Sequence, residues 1–207
     1  TLTPTIGLMA QDVVTFNKYL KLSLGLRYSK LHGAREAQED TSAVNPSVGI
    51  LVSPVENVNL FGSYTTTTSL RGANNPMQNG VVVGPGKTTQ WEAGVKSDWL
   101  EEKLRFNLTL FYINNDNLSF SVLNETGAAT GYYDLAGRLE RKGIEAEVIG
   151  RINRNLQVMA GYAYLDAQYQ DSPAYVNGSE PMNSPNHTAN AWLNYAFKDG
   201  ALSGLDL

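Results

Sequence analysis

A chain of 207 residues with 42% hydrophobic and 17% charged side chains is long enough to bury a large core, so length alone leaves the fold class open. The net charge of −4, from 16 basic and 20 acidic side chains, lacks the basic excess of a nucleic-acid binder. The absence of cysteine excludes disulfide frameworks, thiolate metal sites and cysteine nucleophiles together.

No apolar run approaches the roughly 18 residues that a spanning helix needs. That leaves strand-crossing proteins untouched, because barrel strands give a weaker signal per segment. The first residues, Thr1-Leu2-Thr3-Pro4-Thr5-Ile6, lack an initiating Met and the charged, apolar and small-residue zones of a signal peptide. A removed leader or a longer parent chain is therefore expected.

In chain order, the first clear element runs from Tyr19 to Tyr28. Leu20, Leu22, Leu24, Leu26 and Tyr28 share one face, and Lys21, Ser23, Gly25, Arg27 and Ser29 share the other. A helix would scatter both sets around its circumference, so the alternation predicts a strand. Trp91, Ala93, Val95 and Trp99 then oppose Gln90, Glu92, Gly94, Lys96 and Asp98. Leu104, Phe106, Leu108, Leu110 and Tyr112 oppose Arg105, Asn107, Thr109 and Phe111. Gly143–Arg151 and Leu156–Asp166 alternate less cleanly, and Ala189, Ala191, Leu193, Tyr195 and Phe197 oppose Thr188, Asn190, Trp192 and Asn194.

Short polar turns fall at Asn17-Lys18, Pro54–Val58, Glu101-Glu102, Asn153–Asn155 and Lys198–Ala201. Longer stretches rich in Gly, Asn, Pro and Ser fall between them, at His32–Val44, Leu70–Thr88, Ser119–Gly131 and Asp171–Pro185, and read as loops. Strict alternation of short and long connections predicts an all-β, antiparallel up-and-down sheet of about ten strands with its long loops at one end.

Two architectures use such a sheet. In a soluble sandwich the apolar face is a shared core; in a membrane barrel it meets lipid and the polar face lines the lumen. Strands longer than the usual five or six residues favour the barrel. So do apolar faces ending in Tyr19, Tyr28, Trp91, Trp99, Tyr112 and Phe197, as aromatic girdles would. Inward charges of both signs (Arg27, Glu92, Lys96, Arg105, Glu145, Glu147) suit a hydrated lumen.

Gln90-Trp91-Glu92-Ala93-Gly94-Val95-Lys96 resembles a stretch of TonB-dependent outer-membrane receptors, gated barrels that import ferric siderophores and cobalamin. The resemblance continues, in family order, through Leu104–Tyr112, Arg141-Lys142-Gly143-Ile144-Glu145-Ala146-Glu147, Ala160–Ala167 and Pro185–Asn190. Gln11-Asp12 and Leu24–Tyr28 fit as well, and Lys198–Leu205 is particularly similar to receptors for ferrichrome-type hydroxamate siderophores. It implies that residues 1–207 form part of a 22-stranded barrel domain, with the plug domain and terminal strands absent. The implied function is TonB-dependent uptake of ferric siderophores across the bacterial outer membrane. The implied partners are the outer-membrane bilayer, the TonB–ExbB–ExbD complex through the missing N-terminal region, and the ferric siderophore. The siderophore is transported cargo, no cofactor is bound covalently, and no nucleic acid is involved. The alternatives are a stand-alone ten-stranded outer-membrane protease or lipase, and a soluble β-sheet binding module.

Other motifs have bland explanations. Gly86-Lys87-Thr88 evokes a phosphate loop, but Val81 stands where its first glycine belongs and Pro85 removes an amide, so an external loop is expected. His187 near Ser184 lacks a nucleophile elbow, and with His32 makes a poor metal pair. Glu140, Glu145 and Glu147 beside Arg138, Arg141 and Lys142 read as a solvated salt-bridge ladder rather than a glycosidase pair. Asp166 and Asp171 lack the ligand order of an EF-hand, and no catalytic or metal residue is assigned. The binding candidates are aromatics near the loop ends, Phe120, Tyr132, Tyr133, Tyr169 and Tyr175, with Arg71 and Arg138. Aromatic faces and guanidinium donors suit a bulky, oxygen-rich chelate; for Tyr132 and Tyr133 the competing role is the outer aromatic girdle.

Overall fold

The computed structural model describes residues 4–32, 40–101 and 103–207. Among them are nine strands, β1(Thr5–Asn17), β2(Leu20–Leu31), β3(Thr41–Val55), β4(Val58–Ser69), β5(Gly86–Trp99), β6(Leu104–Leu123), β7(Ala129–Arg151), β8(Leu156–Gln170) and β9(His187–Tyr195). They form one antiparallel sheet in sequence order. After the Lys198–Gly200 turn the chain comes back along β9: Ala196 bridges Asp206, and Tyr195 and Leu207 exchange backbone hydrogen bonds. Nine strands thus stand among the described residues where about ten are expected, with this bridge beyond the ninth.

Register turns the alternation of each strand into two continuous faces. Leu20, Leu22, Leu24 and Tyr28 lie opposite Val52, Ile50, Val48 and Val44 of β3. Tyr64, Trp91, Tyr112 and Lys142 form a row across β4 to β7. This apolar face stays open: Leu24 is 44%, Leu26 53%, Trp91 55% and Leu110 51% exposed. Neither face is covered by a second layer of described residues, since every strand packs only on its sheet neighbours. Among the described residues there is no dry core of the kind the sandwich alternative needs.

On the other face run Arg27, Asn45, Ser63, Glu92, Phe111, Gly143 and their in-register neighbours. Two glycines here pair directly with aromatic rings, Gly94 with Phe61 and Gly143 with Phe111. A Cβ on Gly94 would fall 2.8 Å from the Phe61 ring and collide with the Leu108 carbonyl oxygen. One on Gly143 would fall 2.7 Å from Phe111 and collide with the Tyr164 carbonyl oxygen. Rings folded over glycines let the backbone bend while still covering it.

The short β1–β2, β3–β4, β5–β6 and β7–β8 turns share one end of the sheet. In the β5–β6 turn Lys103 donates to Glu101 and holds its carboxyl below the ordinary carboxylate range; its neighbour Glu102 lies outside the described residues. The loops between β4 and β5 and between β8 and β9 rise at the opposite end. Of the loop expected at His32–Val44, residues 33–39 lie outside the described residues, and Thr41 to Val44 already belong to β3.

The expected loop at Ser119–Gly131 is corrected. β6 continues to Leu123 and β7 starts at Ala129, so only residues 124–128 turn the chain. The two strands run 20 and 23 residues and carry their hairpin far beyond the rest of the sheet. Gly86, Lys87 and Thr88 likewise open β5 instead of closing a loop. The buried apolar residues Leu70, Ala73, Val83, Ala136, Leu139 and Ala167 gather at this loop-bearing end. There the β4–β5 loop lies against β6 and β7: Asn117 donates to the Val83 and Pro85 carbonyls at 2.8 and 3.2 Å, and Tyr133 bridges Met77 in parallel.

Candidate functional site

Three of the seven residues singled out in the sequence meet at the mouth. Tyr169 stacks on Tyr175 with ring centroids 4.2 Å apart and planes 16° apart, and Phe120 tilts toward Tyr175 at 6.5 Å. Tyr169 pairs with Leu139, in the row that runs through Asn115 and Thr88, which places it on the polar face. The β8–β9 loop holds Tyr175 by local bonds. The Ser172 hydroxyl accepts from the Ala174 and Tyr175 amides at 3.2 and 3.0 Å, and the Gly178 amide donates to the Tyr169 carbonyl at 2.7 Å. Ser172 comes so near β7 that a Cβ on Gly137, whose φ is +80°, would sit 2.6 Å from its Cα. Only glycine fits that crossing without strain.

Tyr132 and Tyr133 stand elsewhere. They lie nine and more residues up β7 from Lys142, the partner of Tyr112. At about 3.4 Å per residue that is roughly 30 Å along the strand from the aromatic row, on the outer part of the β6–β7 hairpin. Tyr133 is tied to the β4–β5 loop through its amide, which donates to the Pro76 carbonyl at 2.9 Å, while Tyr132 is 44% exposed.

Arg138 lies on the outward face, on the same side as Glu140 and Lys142 and opposite to Tyr169. Its guanidinium reaches Asp116 at 3.0 Å, Asp171 at 3.4 Å and Glu140 at 3.6 Å. It therefore braces β6, β7 and the start of the β8–β9 loop, and is separated from the aromatic trio by the sheet.

The expected salt-bridge ladder splits for the same reason. Lys142 pairs outward with Asp166 at 3.2 Å. Inward, Arg141 donates to Asn115 at 2.9 Å, Glu147 accepts from Asn107 at 3.0 Å, and Glu92 accepts from Gln90 at 2.6 Å. His187 opens β9 and meets the Tyr162 hydroxyl at 2.9 Å and the Tyr164 ring at 5.1 Å. Among the described residues no group of three or more His, Asp or Glu side chains could hold a metal ion.

Sequence reasoning missed a second feature of the mouth. A cavity of about 800 Å³ opens on the polar face between β1 and β4, and both Arg27 and Arg71 line it. The alternation in β2 already put Arg27 on this face, and Thr65–Ser69 advertised a run of hydroxyls. Their convergence depends on the β2–β3 and β3–β4 registers, which alternation does not give.

A family model described as TonB dependent receptor-like, beta-barrel, matches residues 2–207. The ferrioxamine B receptor of Salmonella typhimurium is 30% identical over 97% of this chain and 28% of its own length. The metal-pseudopaline receptor CntO of Pseudomonas aeruginosa is 27% identical over 97% of this chain and 29% of its own. The solved structure of the alcaligin outer-membrane receptor FauA of Bordetella pertussis superposes with a TM-score of 0.76 at 20% identity, over 99% of this chain and 36% of that one. The chain thus spans under a third of the length of the curated relatives it matches.

Proposed function

Because the chain belongs to the TonB-dependent receptor β-barrel family, whose members are receptors and transporters and not enzymes, we propose that it forms one wall of an outer-membrane receptor for ferric siderophores. The observation that carries this reading is the single sheet with an open apolar belt on one face and a structured, aromatic mouth on the other. Lipid covers the belt in this reading, and the polar face lines the lumen of a 22-stranded barrel whose plug lies elsewhere in the parent protein.

Capture comes first. Phe120, Tyr169 and Tyr175 offer π faces to the apolar parts of the chelate, while guanidinium and hydroxyl donors meet its oxygens. Arg71 is such a donor, whereas Arg138 acts as the brace that keeps the trio in place. The ferric ion travels inside its chelate as cargo. Energy reaches the receptor through TonB–ExbB–ExbD and moves the plug, not this wall. The relatives are named for ferrioxamine B and for metal-pseudopaline, so similarity alone does not select one chelate.

The test is uptake of radio-iron from a panel of ferric siderophores, in cells with and without the gene and with and without TonB. At least one chelate should enter only when both are present. Uptake of every chelate at the same rate without the gene would overturn the proposal.

A further inference from the structure

Resting on the receptor reading, the mouth cavity points to the charge of the cargo: we propose that this receptor takes an anionic, carboxylate-bearing ferric chelate, clamped by Arg27 and Arg71.

Among the described residues that line the cavity there is no carboxylate. Arg27 donates through Nε to Ser29 Oγ at 3.2 Å, and its Nη2 lies 3.4 Å from the point where a Gly7 Cβ would be. Gly7 and Ser29 both lie on the loop side of Arg27, so the guanidinium leans along the wall toward the mouth. Arg71 sits in the turn that leaves β4 and closes the cavity from above. Among the described residues neither forms an ion pair, whereas Lys30, Arg105, Arg138 and Lys142 each reach an Asp.

The rest of the wall carries hydroxyls: by register Ser29, Ser47, Thr65 and Thr67 share the polar face with Arg27, and Ser29 is only 7% exposed. Thr66 and Thr68 alternate with them along β4 and are engaged elsewhere, Thr66 Oγ1 donating to the Pro46 carbonyl at 3.0 Å and Thr68 Oγ1 to Asn45 at 2.7 Å, so Ser47, Thr65 and Thr67 remain to meet a ligand. Among the described residues of β1 to β5, carboxylates on the polar face begin at Glu92, beyond β4. Two unopposed guanidinium groups over a hydroxyl floor favour a ligand that brings negative charge and oxygen acceptors of its own. A volume of about 800 Å³ falls in the usual range for a small-molecule site, and its lining is distinct from the Phe120–Tyr169–Tyr175 trio. A neutral or cationic hydroxamate chelate would leave both arginines unmatched.

The experiment titrates the full receptor, purified in detergent, with ferric citrate as the anionic probe and ferrioxamine B as the cationic one. Arg27→Gln and Arg71→Gln should each weaken ferric citrate binding by about tenfold or more, with the loss shrinking as salt is raised. Each should move ferrioxamine B by less than twofold. Arg154→Gln, in the turn at the other end of the sheet, removes the same charge and should move neither constant. Equal losses for both probes would mean that the arginines only hold the wall together, and would overturn the proposal. So would a wild-type receptor that binds ferrioxamine B and ignores ferric citrate, although the receptor reading would then stand. Binding of neither probe, together with no TonB-dependent iron uptake, would remove the receptor reading itself.

Discussion

At the scale of single residues, face decides effect. Leu24 and Ser23 are neighbours in β2 but project to opposite sides of the sheet. Leu24→Arg would put a charge near mid-depth on the lipid side, at a cost of about 2–4 kcal/mol. Ser23→Arg would point into a wet lumen. We predict a large drop in heat-modifiable receptor in outer membranes for the first and little change for the second; equal tolerance of both would sink the lipid-facing assignment. Gly143→Ala should also reduce assembly, because its Cβ meets the Tyr164 backbone oxygen, which cannot swing away as a side chain can. Parity was legible at this scale, since counting by twos along β2 gives the observed faces. It also separates Arg138, Glu140 and Lys142 from Arg141, Glu145 and Glu147. Reading those six as one ladder put neighbours in sequence ahead of the pleat.

At the scale of elements, the unexpected feature is the β6–β7 hairpin. Its outer half is rich in Asn, Ser and Gly, which signal turns, yet Phe120 pairs with Asp134 and Ser121 with Tyr133 across irregular registers. Turn-forming composition marks where a chain can bend, and here cross-strand pairing and the packed β4–β5 loop keep it extended. Asn117, at φ 58°, ties that loop down. Asn117→Ala removes two hydrogen bonds and leaves a left-handed backbone without a favoured residue, so opening of residues 73–85 should become easier by about 1–3 kcal/mol. Amide exchange of Val83 and Gly84, measured by mass spectrometry, reads this directly; unchanged protection would show that the loop is held by its apolar contacts alone. In the same way Tyr175→Ala should weaken chelate binding by about two- to tenfold, in line with the worth of one aromatic pair, while outer-membrane abundance stays constant.

At the scale of the whole molecule, the architecture was largely legible: the alternation, the rhythm of short and long connections and the family resemblance all pointed to one up-and-down sheet. The mouth was legible only in part. Phe120, Tyr169 and Tyr175 are far apart in sequence and meet through strand register and a folded-back loop, and Arg27 and Arg71 come to line one cavity through strand register as well. Among the described residues the edge of β1, and that of β9 before Tyr195, carry unpaired backbone groups, and in hydrocarbon each such group costs several kcal/mol. Stable residence in the membrane therefore requires that both edges be paired, with each other or with further strands. The most direct measurement is the intact mass of the polypeptide carrying these residues, extracted from the outer membrane, with its gel mobility before and after boiling. One wall of a larger barrel predicts a mass several times 22.6 kDa and a mobility that shifts on boiling. A 22.6 kDa polypeptide in the soluble fraction, with no heat shift, would contradict it.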